Sequence, residues 1–163
     1  MIIILLVGAG IMQRKGRQTG YLASLAAFVV AAGAVWAISD KPIEVHRVAG
    51  AQTWSEAAVS RELSQGHPIF VYFTADWCLT CKVNEAAAID RGEVRDAFKA
   101  AGVKTFAGDW TDGDPEITHF LEGQGRAGVP LYLWYAPGKA QPEELPQVLT
   151  PAMLISRARA PQR

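Results

Sequence analysis

The chain has 163 residues, room for one domain and a little more, and its 16 basic residues balance its 16 acidic ones. The balance is uneven: Arg14, Lys15 and Arg17 are the only charges before Asp40, and the remaining 13 basic residues stand against 16 acidic ones, a net of −3. No basic face for nucleic acid is present, and two cysteines allow at most one intramolecular disulfide, which excludes a stapled mini-protein.

The first apolar run, MIIILLVGAGIM, covers residues 1–12 and is too short to span a bilayer; it reads as the end of a helix that starts earlier. The basic loop 13–20 follows. From Gln18 to Ser39 the chain is uncharged for 22 residues, which at 1.5 Å per residue reaches roughly 33 Å against a hydrocarbon core of about 30 Å. Tyr21 and Trp36 lie near its ends, where interfacial aromatics are favoured. A transmembrane helix over 21–39 is therefore expected. A buried core helix and a cleaved signal peptide are the alternatives. The positive-inside rule puts loop 13–20 in the cytoplasm and everything from Asp40 outside it. In a Gram-negative bacterium that is an inner-membrane protein with its C-terminal domain in the periplasm, where disulfide chemistry is normal.

Residues 40–52 read as a linker and 53–160 as the folded domain. Thr53 and Glu56 form a T-x-x-E capping box opening a helix that ends at Gly66. PIFVYFTA is a buried strand, and a helical stretch, CKVNEAAAI, follows the cysteines. Asp90 is placed to cap a helix ending at Gly102. VKTFAGDW is the next strand. Asp114-Pro115 opens another helix with its cap and a proline at the first position. VPLYLWYA is a third strand, EELPQVLT an edge strand because it holds Pro146, and Thr150-Pro151 opens the last helix. The residues RARAPQR read as a frayed tail. The order predicts an α/β domain with a mixed sheet and helices on both faces.

Both cysteines lie in FTADWCLTCK, residues 73–82, on the turn from strand to helix. Cys78 opens the helix, where unpaired backbone N–H groups favour a thiolate; Cys81 lies one turn further, within reach of a disulfide. This predicts an accessible attacking Cys78 and a more buried resolving Cys81. A structural zinc site requires four ligands, and His46, His67 and His119 are scattered without ligand spacing. No metal and no cofactor beyond the cysteine pair is expected. His67 and His119 read as surface or packing residues. Pro130 starts a strand after a glycine-containing turn, and cis and trans are both open from the local sequence. A cis bond there would leave the backbone of Val129 free to pair with an extended peptide.

ADWCLTCK, followed 49 residues after Cys81 by the proline of GVP, resembles the thioredoxin superfamily. VYFTADWCLTCKVNE, DWTDGDPEIT and GVPLYLWYAPG together resemble the C-terminal periplasmic domain of the thiol:disulfide interchange protein DsbD and its copper-tolerance relatives of the ScsB type. The resemblance covers about residues 50 to 160. It implies a thioredoxin-like fold, Cys78 and Cys81 as the redox pair and Pro130 as a cis proline. It also implies that Trp77 is the family tryptophan before the first cysteine. Glu85 matches an acid that restrains the nucleophile, with a solvated helix glutamate as the alternative. The buried acid that the superfamily carries six residues before the first cysteine is replaced by Tyr72. Asp76 reads as a loop residue, and Asp109 and Trp110 as structural positions. The partners implied are a membrane-domain cysteine pair and an N-terminal domain of a longer parent protein, together with periplasmic thiol and disulfide proteins. The implied potential is reducing, nearer about −270 mV than the about −120 mV of a strong oxidant. Two alternatives are a self-standing membrane-tethered reductase of the cytochrome c maturation type and a copper-binding CxxC module.

Overall fold

The computed structural model describes Val29, Val48 and residues 50–160. The chain divides into two compact units, 1–44 and 45–163. In the first, only Val29 is described, as a helical and exposed residue. Apart from Val29, the expected segments 1–12, 13–20 and 21–39 lie outside the described residues, as does most of linker 40–52. Among the described residues no helix is long and apolar enough to cross a membrane.

The second unit is built on strand β2, Ile69–Thr74, all six residues of which are buried. Side chains alternate across a strand, so a strand buried on both faces needs apolar residues throughout. Ile69, Val71 and Phe73 enter one core and Phe70 and Tyr72 the other. β2 pairs in parallel with β3, Lys104–Asp109, and antiparallel with β4, Leu131–Tyr135. The edge strand β1, Gln52–Thr53, lies parallel to β3, and β5, Glu143–Glu144, lies antiparallel to β4. The order is β1-β3-β2-β4-β5.

Helices α1, Glu56–Ser64, and α4, Pro115–Gly123, cover one face through Val59, Ile117 and Leu121. The other face is covered by α3, Gly92–Ala101, and α5, Pro151–Arg159, through Val94, Phe98, Leu154 and Ala158. The expected mixed sheet between two helical layers is present.

Two caps differ from the sequence reading because the residue's backbone or side chain is engaged elsewhere. Thr53 does not cap α1. Its backbone pairs with Ala107 at the sheet edge, and Ser55 takes the cap instead, its hydroxyl accepting from Ala58 N at 3.2 Å. The linker's last residue, Gln52, is likewise in the sheet, opposite Phe106. Asp90 does not cap α3; its carboxylate accepts from Arg95 Nη1 at 2.5 Å, and Arg91 occupies the cap position. Asp114 and Thr150 cap α4 and α5 as expected. Gly102 ends α3 at φ 68°, a left-handed conformation suited to glycine. β5 stops before Pro146 and lies at the sheet edge.

Candidate functional site

β2 delivers the chain to a short turn, Ala75–Trp77, from which helix α2, Leu79–Asn84, departs. Cys78 is its N-cap residue. Its backbone carbonyl accepts from Lys82 N at 3.1 Å, and its sulfur accepts from Cys81 N at 3.2 Å. The two cysteines are joined by a disulfide across a Cα–Cα distance of 5.3 Å. Cys78 is 7% exposed and Cys81 1%, so Cys78 is the more accessible by a narrow margin. An amide aimed at the Cys78 sulfur stabilises a thiolate once the bond is reduced.

The Val129–Pro130 peptide bond is cis, and Pro130 is buried. Val129 packs against the cluster of Ala75, Cys78 and Cys81. Leu131, the next residue but one, starts β4 opposite Phe73, so the sheet holds this loop beside the disulfide. Among the described residues neither the N–H nor the C=O of Val129 makes a hydrogen bond. An approaching extended peptide finds both groups available.

Glu85 is buried at 5% exposure, which overturns the solvated-glutamate alternative. Thr74 Oγ1 donates to its Oε1 at 2.5 Å, and Lys82 Nζ lies 3.4 Å from Oε2. Lys82 also lies 3.2 Å from Asp76 Oδ1. Burial pulls the Lys82 ammonium down, but the Glu85 and Asp76 carboxylates outweigh it and leave the group above its ordinary value of 10.5. α2 runs on into a wider π turn, Glu85–Ile89, closed by Asp90 N donating to Glu85 O at 2.7 Å. Such turns are frequent at functional sites.

Tyr72 belongs to the core that Ala88 and Ile89 of the π turn also enter. Its ring stacks on Phe70 at 6.0 Å, and its hydroxyl accepts from Val48 N at 3.3 Å. At the position where the resemblance implies a buried acid, the chain therefore has an aromatic hydroxyl.

Trp77 stands at the rim, 61% exposed. Its Nε1 donates to Thr111 O at 3.1 Å, and its ring meets Trp110 edge-on at 5.9 Å. Thr111 is itself held by Asp109, whose Oδ1 accepts from Thr111 N at 2.9 Å. Trp110 Nε1 donates to Thr118 at 2.8 Å. Asp109 and Trp110 therefore brace the loop that supports Trp77. Leu79 and Val83 are also exposed, so the disulfide lies beside an apolar rim.

Sequence reasoning missed Thr74, Lys82, Asn84 and Thr111. Asn84 is 3% exposed; it donates to Tyr132 Oη at 2.9 Å and to Gln147 O at 2.7 Å, and accepts from Leu149 N at 3.0 Å. It ties α2 to β4 and to the segment before α5. Its only sequence signal was a polar residue interrupting the apolar side of a short helix. His67 pairs with Glu62 at 2.8 Å, beyond the end of β2 opposite the cysteines, and His119 is exposed on α4. His46 lies outside the described residues. Among the described residues no group of three or more His, Cys, Asp or Glu is arranged to hold a metal ion.

The chain is 30% identical over 83 residues to thiol:disulfide interchange protein DsbD 1 of Pseudomonas aeruginosa, a match covering 51% of this chain and 14% of that protein. The fold superposes on the DsbD C-terminal domain of Neisseria meningitidis. For the oxidised form the TM-score is 0.52 at 24% identity, covering 65% of this chain and 95% of that one. For the reduced form it is 0.53 at 23% identity, covering 69% and 100%. A thioredoxin from Thermus thermophilus superposes with a TM-score of 0.51 at 17% identity, covering 68% and 85%. Residues 50–137, more than half of the chain, match the family model described as thioredoxin-like, and the chain belongs to that family.

Proposed function

We propose that this protein is a thiol:disulfide oxidoreductase whose Cys78–Cys81 pair passes electrons to periplasmic partner proteins. The observation that carries this reading is the disulfide at the start of α2, beside the unpaired backbone of Val129 in the cis-proline loop. In the reduced state the Cys78 thiolate attacks one sulfur of a partner disulfide. A mixed disulfide forms, and the partner's other sulfur leaves as a thiolate and takes a proton. Cys81, deprotonated, then attacks Cys78 Sγ and expels the partner's second sulfur. The partner gains two electrons and two protons, and Cys78–Cys81 closes. Val129 offers its N–H and C=O to the partner strand, while Trp77 and Leu79 supply apolar contact at the rim.

The closed pair is reopened by the same exchange in reverse. We assign the donor as a thiol pair in the membrane domain of a longer parent protein. Similarity to DsbD 1 and the uncharged run from Gln18 to Ser39 support this, as does the basic cluster before it, which directs the domain to the periplasmic side. An N-terminal domain of the same parent is the first acceptor in this reading.

The test is trapping. Cys81→Ala should accumulate mixed disulfides with partner proteins, and Cys78→Ala should not. Trapping through Cys81 alone would sink the assignment. A reporter fused after Arg163 that works only in the cytoplasm would reverse the topology.

A further inference from the structure

Lys82 follows the second cysteine directly, and its ammonium is shared between two carboxylates, Asp76 before the disulfide and Glu85 after it. The two differ in setting: Asp76 is an exposed loop residue, whereas Glu85 is buried. Lys82 is the only cation in contact with Glu85 among the described residues. From β2, Glu85 meets the neutral Thr74. The phenol of Tyr132 on β4, which lies within its electrostatic reach, is pushed up to about 12 by burial, against the Asn84 hydrogen bond and with Glu85 adding to the rise. It is therefore uncharged at neutral pH. α3 and α5 pack beside the π turn through Val94, Phe98, Leu154 and Ala158, all apolar. Among the described residues no second cation lies within ion-pair distance of Glu85. Without Lys82, two carboxylates and a forming thiolate share one end of the domain.

We propose that Lys82 is a positioning residue of the dithiol: it balances the buried Glu85 carboxylate and so limits how far Glu85 opposes the Cys78 thiolate. The inference rests on the reading of Cys78 as the attacking sulfur. An ordinary solvated helix lysine is the bland alternative for Lys82. The shared ion pair and the burial of Glu85 give it a defined partner. A negative charge near a forming thiolate disfavours the second negative charge; a cation held on that first charge cancels part of the effect. Asp76, an exposed residue of the turn before Cys78, holds the other side of Lys82.

The experiment uses the full chain, reduced, with iodoacetamide alkylation followed across pH and the modified cysteine identified by mass spectrometry. Lys82→Met keeps the aliphatic stem and removes the charge. It should move the midpoint of Cys78 alkylation up by about half to one pH unit, a three- to tenfold slower reaction near pH 7. In a Glu85→Gln background the same substitution should move it less than half as far, because the charge that Lys82 balances is gone. Lys82→Arg should restore the native midpoint. An equal shift in both backgrounds would show that Lys82 acts on the thiolate directly, and no shift would show that it is a solvated surface group. Either result overturns the proposal and leaves Cys78 as nucleophile. Alkylation of Cys81 first overturns the nucleophile reading and the proposal with it.

Discussion

The side-chain amide of Asn84 donates to the phenol of Tyr132 across 2.9 Å, joining the redox helix α2 to strand β4, 48 residues away in sequence. The same amide donates to Gln147 O, and its carbonyl accepts from Leu149 N. Asn84→Ala removes all three contacts at a buried position and leaves the partners without a replacement. The expected loss is about 2–4 kcal/mol of stability, since each buried group left unpaired costs on the order of 1–3 kcal/mol and such costs do not add fully. Urea unfolding measures it. An unchanged midpoint with an unchanged slope would mean that water replaces the amide at no cost.

Tyr132 predicts a loss of stability at alkaline pH. Burial raises its phenol from the ordinary 10.0 to about 12, opposed by the Asn84 hydrogen bond and helped by the nearby Glu85 charge. Because the folded value lies above the unfolded one, the neutral phenol favours folding. That contribution is fully present below pH 10 and is lost as pH rises through about 12. Tyr135 carries the same sign, from burial and then from Glu56. In Tyr132→Phe the fall in stability above pH 10 should become shallower. An identical slope in the Phe variant would remove Tyr132 as a source.

Gly108 on β3 lies under the ring of Phe73. A methyl group there would stand 2.3 Å from Cδ1 and 2.6 Å from Cε1. The ring cannot swing away freely, because Trp54 at 5.0 Å and Phe120 at 5.2 Å pack against it. Gly108→Ala should cost about 1–3 kcal/mol through overpacking of a full core. The thermal midpoint reads the loss; a variant as stable as the parent would show that the ring has room to move.

Glu85→Gln should speed alkylation of Cys78 in the reduced chain near pH 7, by about two- to tenfold. The amide keeps an oxygen for the Thr74 hydroxyl, and removing a carboxylate charge close to a forming thiolate favours that thiolate. A titration curve that superposes on the native one would show that Glu85 only fills space and satisfies Thr74.

The strands and helices were largely legible before any coordinates. IFVYFT reads as buried because every residue of β2 is apolar, aromatic or β-branched up to Thr74. Asp114-Pro115 and Thr150-Pro151 mark helix starts through short-range chemistry that needs no distant partner. One capping assignment, that of Thr53, failed because a distant strand intervened. Thr53 is a good cap residue, but the edge of β3 was open to its backbone, so Ser55 caps α1.

Within the candidate site, the cysteine spacing by itself brought Cys78 and Cys81 within one helical turn, and the strand before them set them at a helix start. Both relationships are local, so sequence determines them. Bringing Val129 against that pair, across 48 residues, depended on β4 pairing with β2 in one register, Leu131 opposite Phe73. The burial of Glu85 was likewise decided by the tertiary structure. Helical spacing put it one turn after Cys81, but whether that side met solvent or protein turned on Thr74 at the end of β2. A one-dimensional pattern records which residues share a helix face. It does not record what packs against that face, and the energy of a buried charge is set by its neighbours.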